Sequence, residues 1–208
     1  MEEIKGIIVN SIDYKEKDKL LDIFTPNGKI LVIAKGVRSQ KAKLKGYTNL
    51  MTFGTFMYNP GHNNVLSGAD IIDTFFPSWS DPAKNASICL CLELVNRTTF
   101  LQEDTSKEFV NLIKAMKEIT YGDIYAPAVA LKFIVFIANQ VGVDYTIAEA
   151  KAPKMYKIIN TINSQELELL GELDYSVYDI KDAIRYLINL FSTTLNIHFN
   201  TLKIILSV

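Results

Sequence analysis

Phe24-Thr25-Pro26-Asn27-Gly28-Lys29-Ile30-Leu31-Val32-Ile33-Ala34-Lys35-Gly36-Val37-Arg38 sets a tight turn between two apolar runs and then changes to basic residues. Asn27-Gly28 tolerates positive φ angles, so the flanking runs, Leu20 to Thr25 and Lys29 to Lys35, read as the strands of a β-hairpin. Outward from this hairpin, Ile4 to Ile12, Leu50 to Tyr58 and Val65 to Phe75 are equally rich in Ile, Val, Phe and Tyr. Pro60-Gly61-His62-Asn63-Asn64 marks a second, longer hairpin. Five short strands with no helical period between them predict a small closed barrel, because closure removes the edges that an open sheet exposes. Gly6 to Val9 and Ile30 to Ala34 are apolar throughout, so something must cover one side of that barrel.

The period changes from two to 3.6 after Pro77-Ser78-Trp79-Ser80-Asp81-Pro82. Asp81 as cap and Pro82 at the first helical position start a helix that is expected to reach about Leu101. Thr105 with Glu108 reads as a capping box, and Phe109, Leu112, Ile113, Met116 and Ile119 fall on one stripe. Pro127 to Val141 carries one charge, Lys132, and stops at Gly142, the pattern of a helix buried on nearly every side. Met155, Ile158, Ile159 and Ile162 mark a fourth helix. Val177, Ile180, Ile184, Leu187, Ile188, Phe191 and Leu195 mark a long fifth, with Ser176 as its cap. The expected architecture is α+β, a five-stranded barrel over residues 1–76 followed by an all-α helical bundle over 77–208.

Charge supplies the functional clue. The chain is nearly neutral, with 22 Lys+Arg against 23 Asp+Glu, yet residues 23–69 hold Lys29, Lys35, Arg38, Lys41, Lys43 and Lys45 and no acid. Such a window suits a polyanion, and equally a solvated basic loop. Tyr47, Phe53, Phe56 and Tyr58 follow it. Phe53 and Phe56 are expected in the barrel core, which leaves Tyr47 as the candidate for stacking on a base.

A composition of 49% hydrophobic and 22% charged residues belongs to a folded chain. The start, Met1-Glu2-Glu3-Ile4-Lys5, lacks the pattern of a signal peptide, and the most apolar run, Phe133 to Ala138, is far too short to span a bilayer, so a cytoplasmic protein is expected. Cys89 and Cys91, the two cysteines, stand about 200° apart around a helix and cannot both face one ion, so neither a metal nor another cofactor is expected. Asp13, Glu16, Asp18 and Asp22 alternate with Lys15, Lys17 and Lys19, which reads as a self-neutralised turn. No phosphate loop or dinucleotide fingerprint occurs, and no catalytic residue stands out, so the expectation is a protein that is not an enzyme.

Four segments in order, Gly6-Ile7-Ile8-Val9, Tyr14-Lys15-Glu16-Lys17-Asp18-Lys19-Leu20-Leu21, Phe24-Thr25-Pro26-Asn27-Gly28-Lys29 and Ala34-Lys35-Gly36-Val37-Arg38 with Lys41 to Leu44, resemble the RecO family of recombination mediators. That resemblance implies an oligonucleotide-binding (OB-fold) barrel followed by helices. It implies annealing of complementary single strands in DNA repair and help in loading recombinase onto DNA coated by single-strand-binding protein. It also implies a partnership with the RecR protein. Lys29, Lys35, Arg38, Lys41, Lys43, Lys45 and Tyr47 would then form the surface for single- and double-stranded DNA. The tail of the single-strand-binding protein is expected on the helical half, whose helices carry Lys107, Lys114, Lys117, Lys132, Lys151, Lys154 and Lys157. Many members carry a four-cysteine zinc module there. No cysteine follows Cys91 in this chain, so that module is expected to be absent or degenerate. The rival expectation from a different class is a protein-binding adaptor that uses barrel and bundle as docking faces.

Overall fold

The computed structural model describes residues 1–100 and 104–208. Two compact units divide the chain, one of Met1–Phe76 with Thr98–Val110, the other of Pro77–Arg97 with Asn111–Val208.

In the first unit, β1 (Glu2–Tyr14), β2 (Asp18–Thr25), β3 (Gly28–Ala34), β4 (Phe53–Asn59) and β5 (Asn64–Asp73) close into a barrel in the order β1-β2-β3-β5-β4. β3 and β5 run parallel and the other neighbours antiparallel, the five-stranded Greek-key arrangement of an OB-fold. Pro26 and Asn27 make the β2–β3 turn, and the positive φ falls on Gly28, at 89°. Ile8, Leu21, Ile23, Val32, Phe56 and Leu66 fill the interior. Alternation then puts Ile7, Phe24 and Phe53 on the outer side, where the Phe109 ring packs on the two phenylalanines, with centroids 5.8 Å from Phe24 and 6.1 Å from Phe53. The cover for this side therefore includes Phe109.

The fourth strand is shorter at its start than the sequence pattern indicates. Met51 turns the chain with a φ of 69° and donates its N–H to the Ile8 carbonyl, which leaves Leu50 to Thr52 outside the strand. The last strand stops before Phe75 in a similar way, because Phe75 takes a φ of 50° and its N–H bonds the Asp73 carboxylate.

The helices lie mostly in the second unit, with Thr98 and Ser106–Val110 in the first. They are α1 (Pro82–Thr98), α2 (Ser106–Tyr121), α3 (Ala126–Val141), α4 (Ala148–Lys151), α5 (Pro153–Ser164), α6 (Val177–Leu195) and α7 (Leu202–Ser207). Asp81 caps α1 by accepting from the N–H groups of Ala83 and Lys84. α1 ends at Thr98; Leu101, the expected end, lies outside the described residues. The Thr105 hydroxyl, read from sequence as half of a capping box, donates to the Thr25 carbonyl at 2.7 Å and accepts from the Gly28 N–H at 2.9 Å, so it fastens the start of α2 to the β2–β3 turn. α3 is buried from Ala126 to Ala138 at all but a few positions and ends on Gly142 in the left-handed region, at φ 71°. Its one cation, Lys132, donates to the carbonyls of Ile162 and Gln165, and burial pulls its ammonium below lysine's ordinary pKa. A capping box of Ser176 and Asp179 starts α6, whose apolar face runs from Ile180 to Phe191.

Candidate nucleic-acid interface

Between Ala34 and Phe53 the chain folds as a train of tight turns. Gly36, at φ 66°, gives its N–H to the Asp18 carboxylate at 2.8 Å. The N–H groups of Ser39, Ala42 and Lys45 then donate to the carbonyls of Gly36, Ser39 and Ala42, each closing a turn of four residues. Val37 and Thr48 are buried and Leu44 packs against the barrel core. With those three side chains turned in, Lys35, Lys41, Lys43, Lys45 and Tyr47 are exposed. Val37, Leu44 and Thr48 thus act as inward pegs between the exposed cations.

Arg38 has a different setting. Its guanidinium reaches back to the β1–β2 turn, donating to the carbonyls of Lys15 at 3.2 Å and Glu16 at 3.1 Å and pairing with the Asp13 carboxylate at 2.9 Å. Its backbone N–H donates to the Lys17 carbonyl. Lys29 is also apart from the group. It sits half-buried at the first end of β3 while Lys35 follows the other end, roughly 20 Å along the strand. The structure thus gathers Lys35, Lys41, Lys43, Lys45 and Tyr47 on one loop, brings Arg38 into contact with the β1–β2 turn, and leaves Lys29 at a distance.

The remaining aromatics are structural. Phe53 and Phe56 are buried, and Tyr58 donates its hydroxyl to the Glu2 carboxylate at 2.5 Å. That bond, with burial and the Glu2 charge, pushes the Tyr58 phenol up to about 12. Burial likewise raises Cys89 to about 11 and Cys91 further, so both are thiols at neutral pH, the form that binds metal poorly. Among the described residues no group of three or more His, Cys, Asp or Glu could hold a metal ion, and no helix is long and apolar enough to cross a membrane. His62 and His198 are exposed.

Residues 1–75 match the family model of the recombination protein O N-terminal domain, which covers the barrel from β1 through β5. Residues 1–75 are thus a RecO-type N-terminal domain, and the chain is similar to RecO proteins. Its relatives include the DNA repair protein RecO of Staphylococcus haemolyticus, 29% identical over 125 residues, or 59% of this chain and 50% of that one. RecO of Staphylococcus epidermidis is 28% identical over 144 residues, 68% of this chain and 56% of the relative. RecO of Shouchella clausii is 30% identical over 119 residues, 56% and 46% of the two chains. The chain spans about half the length of the curated relatives it matches. These alignments are longer than the RecO domain match, so likeness to the relatives extends beyond residue 75 into the helical half.

Proposed function

We propose that this chain acts as a RecO-family protein in DNA repair by binding DNA strands through the loop 35–47 and promoting the annealing of complementary single strands, without catalysis. The observation that supports this most is the pegged loop, in which Val37, Leu44 and Thr48 point in and four lysines and a tyrosine point out. Complementary strands repel through their phosphates, and a protein that neutralises several phosphates on each lowers that barrier without reading sequence. Backbone contacts are enough to align a strand, and the Tyr47 ring offers a surface for an unstacked base. The decisive assay mixes two complementary labelled oligonucleotides with and without the protein. Annealing is expected to speed up at low salt and to lose the acceleration as salt rises; no acceleration at any salt would overturn the reading.

The helical unit supports a partner role in the same reading, with RecR and the tail of a single-strand-binding protein as partners and recombinase loading as the outcome. A groove of about 370 Å³ lies among α2, α3, α5 and the turn after α5, lined by Phe133, Phe136, Lys114, Lys132, Glu166 and Glu168. Lys114 at its edge can steer an acidic peptide while the two phenylalanines take an aromatic end. Lys132 supports the wall through its carbonyl bonds, and Lys154 is paired with Asp179, so the lysines differ in availability. Titrating the whole chain with a labelled acidic, aromatic-ended peptide should give saturable binding that Phe136→Ala weakens severalfold. Failure to bind at physiological salt, or binding indifferent to Phe136→Ala, would remove this groove from the reading.

A further inference from the structure

Alternating charges made the β1–β2 turn read as neutral, and the fold changes that balance. Of its carboxylates, Asp13 is paired with Arg38 at 2.9 Å and Asp18 accepts the Gly36 N–H at 2.8 Å, which leaves Glu16 as the carboxylate at the tip. Lys15 and Lys17 remain exposed there. Four contacts tie this tip to residues 36–38, namely those of Arg38 to the Lys15 and Glu16 carbonyls, of the Arg38 N–H to the Lys17 carbonyl, and of Gly36 to Asp18. The tip is therefore part of the same surface as the start of the basic loop. Lys15 holds a φ of 51°, a conformation that favours glycine, and its ammonium lies 5.2 Å from the centroid of the Tyr14 ring, itself exposed. A lysine kept where glycine is cheaper, with its charge propped on a ring at a hairpin tip, is an outlier of the kind found at functional positions.

We infer that the β1–β2 tip is a second wall of the DNA surface, in which Lys15 and Lys17 contact phosphates alongside Lys35, Lys41, Lys43 and Lys45. This rests on the reading of the loop as the DNA site. The turn between the first two strands is one of the loops that OB-folds use toward oligonucleotides, so the position suits the role. The Arg38–Asp13 pair fastens the two walls together, and Arg38 draws the Asp13 charge away from an approaching phosphate.

The test compares the salt dependence of single-stranded DNA binding in three variants by fluorescence anisotropy. Lys15→Gly with Lys17→Ala removes both charges, and glycine suits the left-handed turn, so the fold is retained. The slope of log K against log salt is expected to fall by about 1.4 in magnitude, at roughly 0.7 per contact. Lys15→Arg with Lys17→Arg keeps the charges and should keep the slope. If Lys41, Lys43 and Lys45 changed together to Ala flatten the slope while the tip variant does not, the tip is no part of the surface and the loop reading stands. If neither variant alters it, the loop reading falls as well, and with it this inference.

Discussion

Gly54→Ala should lower the stability of the barrel by on the order of 3 kcal/mol, a fall of roughly 6–12 °C in melting temperature. A β carbon at position 54 would stand 2.3 Å from the Asp70 carbonyl oxygen and 3.1 Å from the Ile71 Cα. Both are backbone atoms of the neighbouring strand, which cannot turn aside as a flexible side chain does. Gly6, the partner of Gly54 across β1 and β4, is as tight, with 2.6 Å to Ile23 Cγ2 and 2.7 Å to the Phe24 carbonyl. Paired glycines at one level of a small barrel let neighbouring backbones approach this closely, and a register shift follows Phe53 at the same place. Thermal unfolding followed by circular dichroism makes the measurement. Gly46→Ala is the control, because nothing lies within 4 Å of the added carbon. A Gly54→Ala protein that melts with the parent would mean that β4 and β5 can part there at little cost.

Neither glycine could be assigned this role from sequence, since the clash is with strands whose register is not written locally. What could be read was short-range. The turn at Pro26-Asn27-Gly28, the single charge in α3 and the Ser176 cap are each decided by residues within a few positions of one another, and each falls where the pattern puts it. The exposed lysines of the loop were legible for the same reason. Arg38 was not, because its role depends on Asp13, 25 positions earlier, and on carbonyls that carry no sequence signal. Thr105 shows what a local rule leaves out. The helix starts directly after it, where the Thr-x-x-Glu spacing puts it, but the hydroxyl also meets Thr25, 80 residues away. The local charge count around Lys15 and Lys17 cannot include Arg38, which reaches Asp13 from 25 positions further along the chain.

Changing Lys41, Lys43 and Lys45 together to Ala should weaken binding to single-stranded DNA about equally for all sequences and reduce the slope of log K against log salt by about 2 in magnitude, at roughly 0.7 per lost phosphate contact. The motive is their common setting, with all three exposed on a loop whose inward residues, Val37, Leu44 and Thr48, are left intact. The variant should therefore melt with the parent while its affinity falls. Loss of affinity must also shrink as salt rises, because the contacts removed are those that release counterions, and the two proteins should converge above the salt at which loop binding fades. Anisotropy titrations on two unrelated oligonucleotides over a salt series measure both quantities. Lys29→Ala, distant along β3, should shift the slope by much less than the triple variant. An unchanged slope in the triple variant would place the DNA surface elsewhere on the chain, and an equal effect on the slope from Lys29→Ala alone would mean that the strand bound runs the length of β3, past the loop.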